Sequence, residues 1–308
     1  MDTGNRRTVV AAMVANAGIA IAKFVGWGVT GASSMLAEGV HSLADSGNQA
    51  LLLWGGASAA KKPTAEHPFG FGRERYFWAF IVSLIIFALG SVFAIYEGVH
   101  QFLNPGTIVS PLWAISILSL GLLLEGWSFH TAVTVARRVK GEQTWPQFVL
   151  RTKNPELPVV LLEDLGALIG LTLALVGVSV ATLTGDSRYD AAATIFIGLL
   201  LGAIAVVLAI EMKSLIIGEA AESDDRAAIA EAIGSHSAVR RLISMRTQHL
   251  GPDDVLVCAK VDFDPELTLR EVTEQIDSVE TEVRAVVPTA RLIYIEPDVY
   301  EADRESTP

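Results

Sequence analysis

His41 and Asp45 stand four residues apart in an otherwise largely apolar stretch, a spacing that puts an imidazole nitrogen and a carboxylate oxygen on one face of a helix. Zn²⁺ accepts both ligand types at about 2.0–2.2 Å. Glu38 lies three residues before His41 and Asn48 three after Asp45, so the four polar residues share one stripe. A second acidic point occurs far along the chain, in Val159-Val160-Leu161-Leu162-Glu163-Asp164-Leu165-Gly166. Two adjacent acids in such a run call for a cation to neutralise them. Neighbouring residues differ by about 100° around a helix axis, so the two carboxylates cannot aim equally at one centre. One is expected to face the His41 helix, the other a neighbouring helix or a water path.

The elements that must position these residues are membrane spans. The chain has 308 residues and is 51% hydrophobic, with a mean hydropathy of +0.43. Six segments reach the ~20 mostly apolar residues that a helical span needs: about 8–30, 34–60, 76–103, 110–136, 156–183 and 190–213. Thr30-Gly31, Pro63, Pro68, Asn104-Pro105-Gly106, Asn154-Pro155 and Gly185-Asp186 punctuate them. A charge at the bilayer centre costs about 2.5–3.5 kcal/mol on insertion scales, so each polar residue inside a span needs a reason. Lys23 in the first span is expected to snorkel or to pair with an acid. Glu97 and Glu125 read as residues nearer the ends of spans three and four.

Charge separates two domains, 1–214 and 215–308. Of 23 Lys+Arg and 34 Asp+Glu in the whole chain, residues 215–308 hold 9 and 20, leaving 14 of each for 1–214. The formal charge of −11 therefore belongs to the C-terminal third. An acidic domain of this kind argues against nucleic-acid binding, which needs a basic surface. A single cysteine, Cys258, excludes an internal disulfide framework. Met1–Arg7 leads into a segment too long for a cleavable signal, so a retained first span is expected. Arg6, Arg7, Lys61, Lys62, Arg73, Arg75, Arg137, Arg138, Lys140, Arg151, Lys153 and Lys213 fall in one alternating set of connections, and only Arg188 in the other. The positive-inside rule then makes both termini cytoplasmic; the expected location is a prokaryotic inner membrane.

The acidic domain reads as a small α/β unit of order αββαβ. A helix is expected over 223–234 with Ser223 as N-cap, strands over 239–248 and 254–263, a helix over 268–286, and a last strand over 291–296. Val255, Val257, Ala259 and Val261 alternate, and Thr268 with Glu271 makes a capping box.

With these residues in place, the chain resembles the cation diffusion facilitator family of metal/proton antiporters. The resemblance rests on Gly31–Asp45, on His67-Pro-Phe-Gly-Phe-Gly-Arg73, on Glu163-Asp164 and on Asp190. Gly218-Glu219-Ala220 and Arg246–Pro252 extend it over nearly the whole chain. It implies an all-α bundle of six transmembrane helices followed by a metallochaperone-like αββαβ cytoplasmic domain, assembled as a homodimer. It implies a transporter rather than an enzyme, needing no cofactor: Zn²⁺ or another divalent metal (Fe²⁺, Mn²⁺, Co²⁺ or Cd²⁺) is cargo exchanged for protons. By motif, His41, Asp45 and Asp164 map onto the metal ligands. Two positions depart from the family pattern. The residue four before the aspartate, often His or Asp, is Val160, leaving Glu163, Glu38 or water for the fourth corner. The tail reads Ile295-Glu296-Pro297-Asp298 where many members carry His-x-Asp-Pro. The rival readings are a proton-coupled transporter of another solute, with Glu163 and Asp164 as a proton relay, and a membrane-anchored scaffold that moves nothing, which leaves the aligned polar residues unexplained.

Overall fold

The structure, a computed structural model, describes residues 3–301, with side chains described from Ala17 onward except at Arg151. The side chains of Arg6, Arg7 and Arg151, used above to orient the chain, lie outside the described residues. Two compact units form. The first runs to Ala57 and resumes over Tyr76–Lys213; the second joins Ser58–Arg75 to the chain from Ser214 onward.

The first unit is helical: α1 (Thr3–Thr30), α2 (Ser33–Ala59), α3 (Glu74–Ile85), a π-helical stretch Ile86–Val92, α4 (Phe93–Leu103), α5 (Pro111–Lys140), α6 (Trp145–Arg151), α7 (Glu156–Thr184) and α8 (Arg188–Ile217). Sharp reversals follow α1 and α7 at Gly31 (φ 71°) and Gly185 (φ 76°), left-handed positions that glycine adopts without strain.

Among the described residues four helical segments are long and apolar enough to cross a membrane: Glu74–Leu103, Pro111–Lys140, Glu156–Thr184 and Arg188–Ile217. The six spans expected from sequence are thus met by four on this measure. Of α1, the residues with described side chains form a shorter apolar segment, Ala17–Thr30. The 27-residue α2 falls short because its face carries Glu38, His41, Asp45, Asn48 and Gln49. The connection after α5, given no element from sequence, contains α6. This helix starts with a Thr144/Gln147 capping box and a proline in its first turn. Its Phe148 is buried with Ala136 of α5 and Leu161 of α7.

The bundle is assembled where glycines let helices approach. Gly39 of α2 faces Phe24 of α1, Gly121 of α5 faces Leu171 of α7, and Gly166 of α7 faces Leu201 and Ile204 of α8. The segment Ile86–Leu103 runs antiparallel to α8 in close backbone contact. A Cβ on Gly98 would lie 2.9 Å from the Ala191 carbonyl oxygen, and one on Gly198 would lie 2.9 Å from the Ser91 carbonyl oxygen. The π turn adds about one residue per turn and so re-phases the helix surface that meets α8.

In the second unit, α9 (Ser223–Ser235), β1 (Val239–Gly251), β2 (Asp254–Phe263), α10 (Leu269–Val286) and β3 (Leu292–Pro297) follow in the αββαβ order expected from sequence. The three-stranded sheet has β2 in the centre, antiparallel to β1 and parallel to β3. The alternating Val255, Val257, Ala259 and Val261 point to the side covered by the helices, where they pack with Ile229, Ile233, Val279 and Val283. The Thr268/Glu271 box caps α10, and the hydrogen bonds from the Thr268 backbone and hydroxyl hold the Glu271 carboxyl below its usual range. Ser223 corrects the sequence reading. Glu222 occupies the N-cap and Ser223 is the first helical residue, with no side-chain cap bond.

The departing tail motif is engaged in an ion pair. Lys260 Nζ donates to Glu296 Oε1 (3.0 Å) and Asp298 Oδ2 (3.2 Å), and these bonds raise the Lys260 ammonium above its usual range. Within this same unit the segment preceding α3 packs on the β1–β2 turn. A Cβ on Gly72 would meet the Leu250 carbonyl oxygen at 2.7 Å, and Arg75 Nη1 lies 3.0 Å from Asp253 Oδ2.

Candidate metal centre

Four helices of the first unit, α1, α2, α5 and α7, bring their polar residues to neighbouring positions. On α2, His41 Nε2 lies 3.5 Å from Asp45 Oδ2, as their four-residue separation dictates. His41 is 1% exposed, and neither of its ring nitrogens has a hydrogen-bond partner. Asp45 Oδ1, Asn48 Oδ1 and Gln49 Oε1 are likewise buried without one. Each such orphan costs about 1–3 kcal/mol. A run of them down one helix face is a set of lone pairs that a cation would satisfy.

The acidic pair on α7 divides as its 100° offset requires. Glu163 Oε1 accepts from Asn48 Nδ2 of α2 at 2.7 Å, and Asp164 Oδ2 accepts from Ser128 Oγ of α5 at 3.1 Å. Glu163 is buried and Asp164 half-buried. Val160, one turn earlier, is half-buried and contributes no ligand atom.

Glu38, a candidate ligand from sequence, is engaged by another residue. Lys23 Nζ donates to its Oε2 at 3.0 Å and to Ser42 Oγ at 2.7 Å. Lys23 therefore pairs with an acid rather than snorkelling. Glu125 corrects a second expectation. It is the fifteenth residue of the thirty in α5, at mid-helix rather than near an end, within electrostatic reach of His41, Asp45 and Asp164. Sequence also missed Ser128. A mid-span serine three residues after Glu125 is the signal that would have found it.

Asp190, at the start of α8, serves a different purpose. It is 1% exposed and accepts from the Ser33 hydroxyl at 3.0 Å, from the Ser34 hydroxyl, and from the Ser34 N–H. It thus supplies, from another helix, the negative charge that the N-terminus of α2 favours. Its hydrogen bonds go to structure.

Among the described residues no three His, Cys, Asp or Glu side chains converge closely enough to hold one ion. His41 with Asp45, Glu163 with Asn48, and Asp164 with Ser128 stand as separate pairs.

The family description for the cation efflux transmembrane domain matches residues 9–217, and that for the cation efflux protein cytoplasmic domain matches residues 221–298. A Xenopus laevis protein named proton-coupled zinc antiporter SLC30A9, mitochondrial, is 34% identical over 288 residues, which cover 92% of this chain and 51% of that one. The Homo sapiens protein of the same name is 31% identical over 277 residues, covering 89% of this chain and 49% of that one. The cation-efflux pump FieF of Pectobacterium atrosepticum is 26% identical over 300 residues, covering 95% and 94%. The chain spans about half the length of the two antiporters.

Proposed function

The chain belongs to the cation efflux family, and from that premise we propose that it carries divalent metal ions, Zn²⁺ foremost, across a membrane in exchange for protons. The observation that carries this reading is the buried His41/Asp45 pair, whose nitrogens and outer oxygen lack hydrogen-bond partners beside two further carboxylates. The antiporters similar to it are named for zinc and protons. Mixed imidazole and carboxylate ligands suit Zn²⁺, and they also accept Fe²⁺, Mn²⁺, Co²⁺ or Cd²⁺.

We assign His41, Asp45 and Asp164 as ligands, with Glu163 the candidate for the corner that Val160 leaves open. Metal arriving from the cytoplasm displaces protons from His41 and the carboxylates and draws α7 towards α2. A rocking of the bundle then exposes the site to the other side, where protons return and the ion leaves. The metal is cargo and no bond is broken, so the protein acts as a transporter rather than an enzyme.

The bundle is read as six spans, α1 and α2 included, with residues 1–214 in the membrane and 215–308 in the cytoplasm. Placement of Ser58–Arg75 in the same unit as the chain beyond Ser214 supports a common side for both, as do the positive connections. The second unit, which matches the cytoplasmic domain of cation efflux proteins, is assigned a dimerising role. The membrane is assigned as a prokaryotic inner membrane.

Purified protein in vesicles, with a zinc-sensitive dye inside and an imposed proton gradient, tests the function. Ligands must lose protons to bind metal. Proton-driven zinc flux is therefore expected, with a KM for Zn²⁺ that rises as the pH on the loading side falls. Flux indifferent to chelators would instead mean another solute, and no flux would favour a scaffold.

A further inference from the structure

We propose that Lys23 is a tethered counter-cation that withholds Glu38 from the transport site and thereby sets how tightly the divalent ion is held. This rests on the transport reading above. Its starting point is a buried ion pair that stability does not explain. Lys23 and Glu38 are 1% and 0% exposed, with Nζ and Oε2 3.0 Å apart. Replacing such a pair by apolar groups is often neutral or stabilising, because desolvating two charges consumes what their attraction returns. Inside a membrane the penalty for carrying them is larger.

The pair is also held in place from several sides. Lys23 Nζ donates a second bond to Ser42 Oγ at 2.7 Å, and Ser42 is the residue after His41. Glu38 is pressed against α7, where its Oε1 lies 2.6 Å from the position of a Cβ on Gly170. That same Oε1 is buried without a hydrogen-bond partner. Gly121 of α5 leaves room for the Lys23 side chain, its Cε being 3.8 Å from a Cβ placed there. Glycines on two neighbouring helices thus accommodate an ammonium and a carboxylate one turn from His41.

The electrostatic consequence has a definite sign. With Lys23 present, the Glu38 charge is balanced and the ion meets the carboxylates of α7 and Asp45. Without it, a further carboxylate faces the site from one turn away, which tightens metal binding and slows release. Lys23 acts through Glu38 and is a positioning residue, not a ligand.

Transport kinetics in vesicles test this, with zinc as the probe and Asp45→Ala as the inactive control. Lys23→Met is expected to lower both the KM for Zn²⁺ and kcat by roughly tenfold, the pattern of an ion held too well. The double variant Lys23→Met/Glu38→Gln, which removes both charges, is expected to return both constants to within about threefold of wild type. A purely structural role would leave the double variant as impaired as the single one. That result overturns the proposal, as does an unchanged KM in Lys23→Met. Should Lys23→Met fail to fold, the double variant still decides. Because it leaves neither charge uncompensated, its KM is expected to stay near wild type, and a large rise would make Glu38 a ligand and overturn the proposal. A wild type that moves no zinc would overturn the transport reading itself, and is distinguished by the absence of any flux to modulate.

Discussion

Asp45→Ala is expected to reduce proton-driven zinc flux by at least about a hundredfold, since losing a ligand exceeds the 10- to 100-fold effects typical of groups that only support ligands. The carboxylate stands 3.5 Å from His41 Nε2 and holds out a buried oxygen with no hydrogen-bond partner. Its removal leaves His41 alone on α2, and one imidazole does not retain a divalent ion against water. The same substitution should not weaken the fold. A carboxylate in a span costs about 2.5–3.5 kcal/mol on insertion scales, so the thermal midpoint in detergent is expected to stay level or rise. Loss of transport with a retained midpoint is the signature of a functional group. Loss of both would make Asp45 a packing residue, and full transport would remove it from the site.

The second large effect concerns the fold that holds the site. Gly198→Ala is expected to destabilise the protein by about 1–3 kcal/mol, the usual result of forcing atoms into a packed interior. Its new Cβ would lie 2.9 Å from both the Ile95 amide nitrogen and the Ser91 carbonyl oxygen. Backbone atoms cannot swing aside as a side chain can, so α8 and the segment Ile86–Leu103 must separate along their length. Gly28→Ala provides the opposite sign. No atom lies within 4 Å of a Cβ there, and alanine in a helix interior is favoured over glycine by up to about 1 kcal/mol. Thermal midpoints of the two variants in the same detergent check the pair. Equal shifts would mean that the close approach of these helices is not a source of stability.

Much of this was legible in the sequence where a local signal was strong. The alternation in Val255–Val261 gave β2, and the Thr268/Glu271 box gave the start of α10, because strand period and capping act over a few residues. That Glu163 and Asp164 point to different neighbours followed from helix geometry, whereas the identity of α5 as the second neighbour did not. Ser223 misled because a good capping residue was available one position after the one the chain uses. Helix α6 lies between the fourth and fifth spans, where no element was read, although Thr144 and Gln147 carry the capping signature.

The partners of the polar residues were less accessible, because they are set by tertiary packing. Nothing in the order of residues joins Lys23 to Glu38, or Ser128 to Asp164; those contacts exist because α1 lies on α2 and α5 on α7. The association of Ser58–Arg75 with the second unit has the same origin. Gly72 and Gly251 permit a backbone contact that composition does not announce.

The assignment of His41, Asp45 and Asp164 as the ligands of one transported ion is tested most directly by anomalous scattering at the zinc edge from crystals of the zinc-loaded protein. A single strong peak within bonding distance, about 2.0–2.2 Å, of a His41 nitrogen and of carboxylate oxygens of Asp45 and Asp164 is expected. With it, Asp164 should have left Ser128. A peak held by Glu38 with Lys23 displaced, or zinc found only outside the bundle, would contradict the assignment.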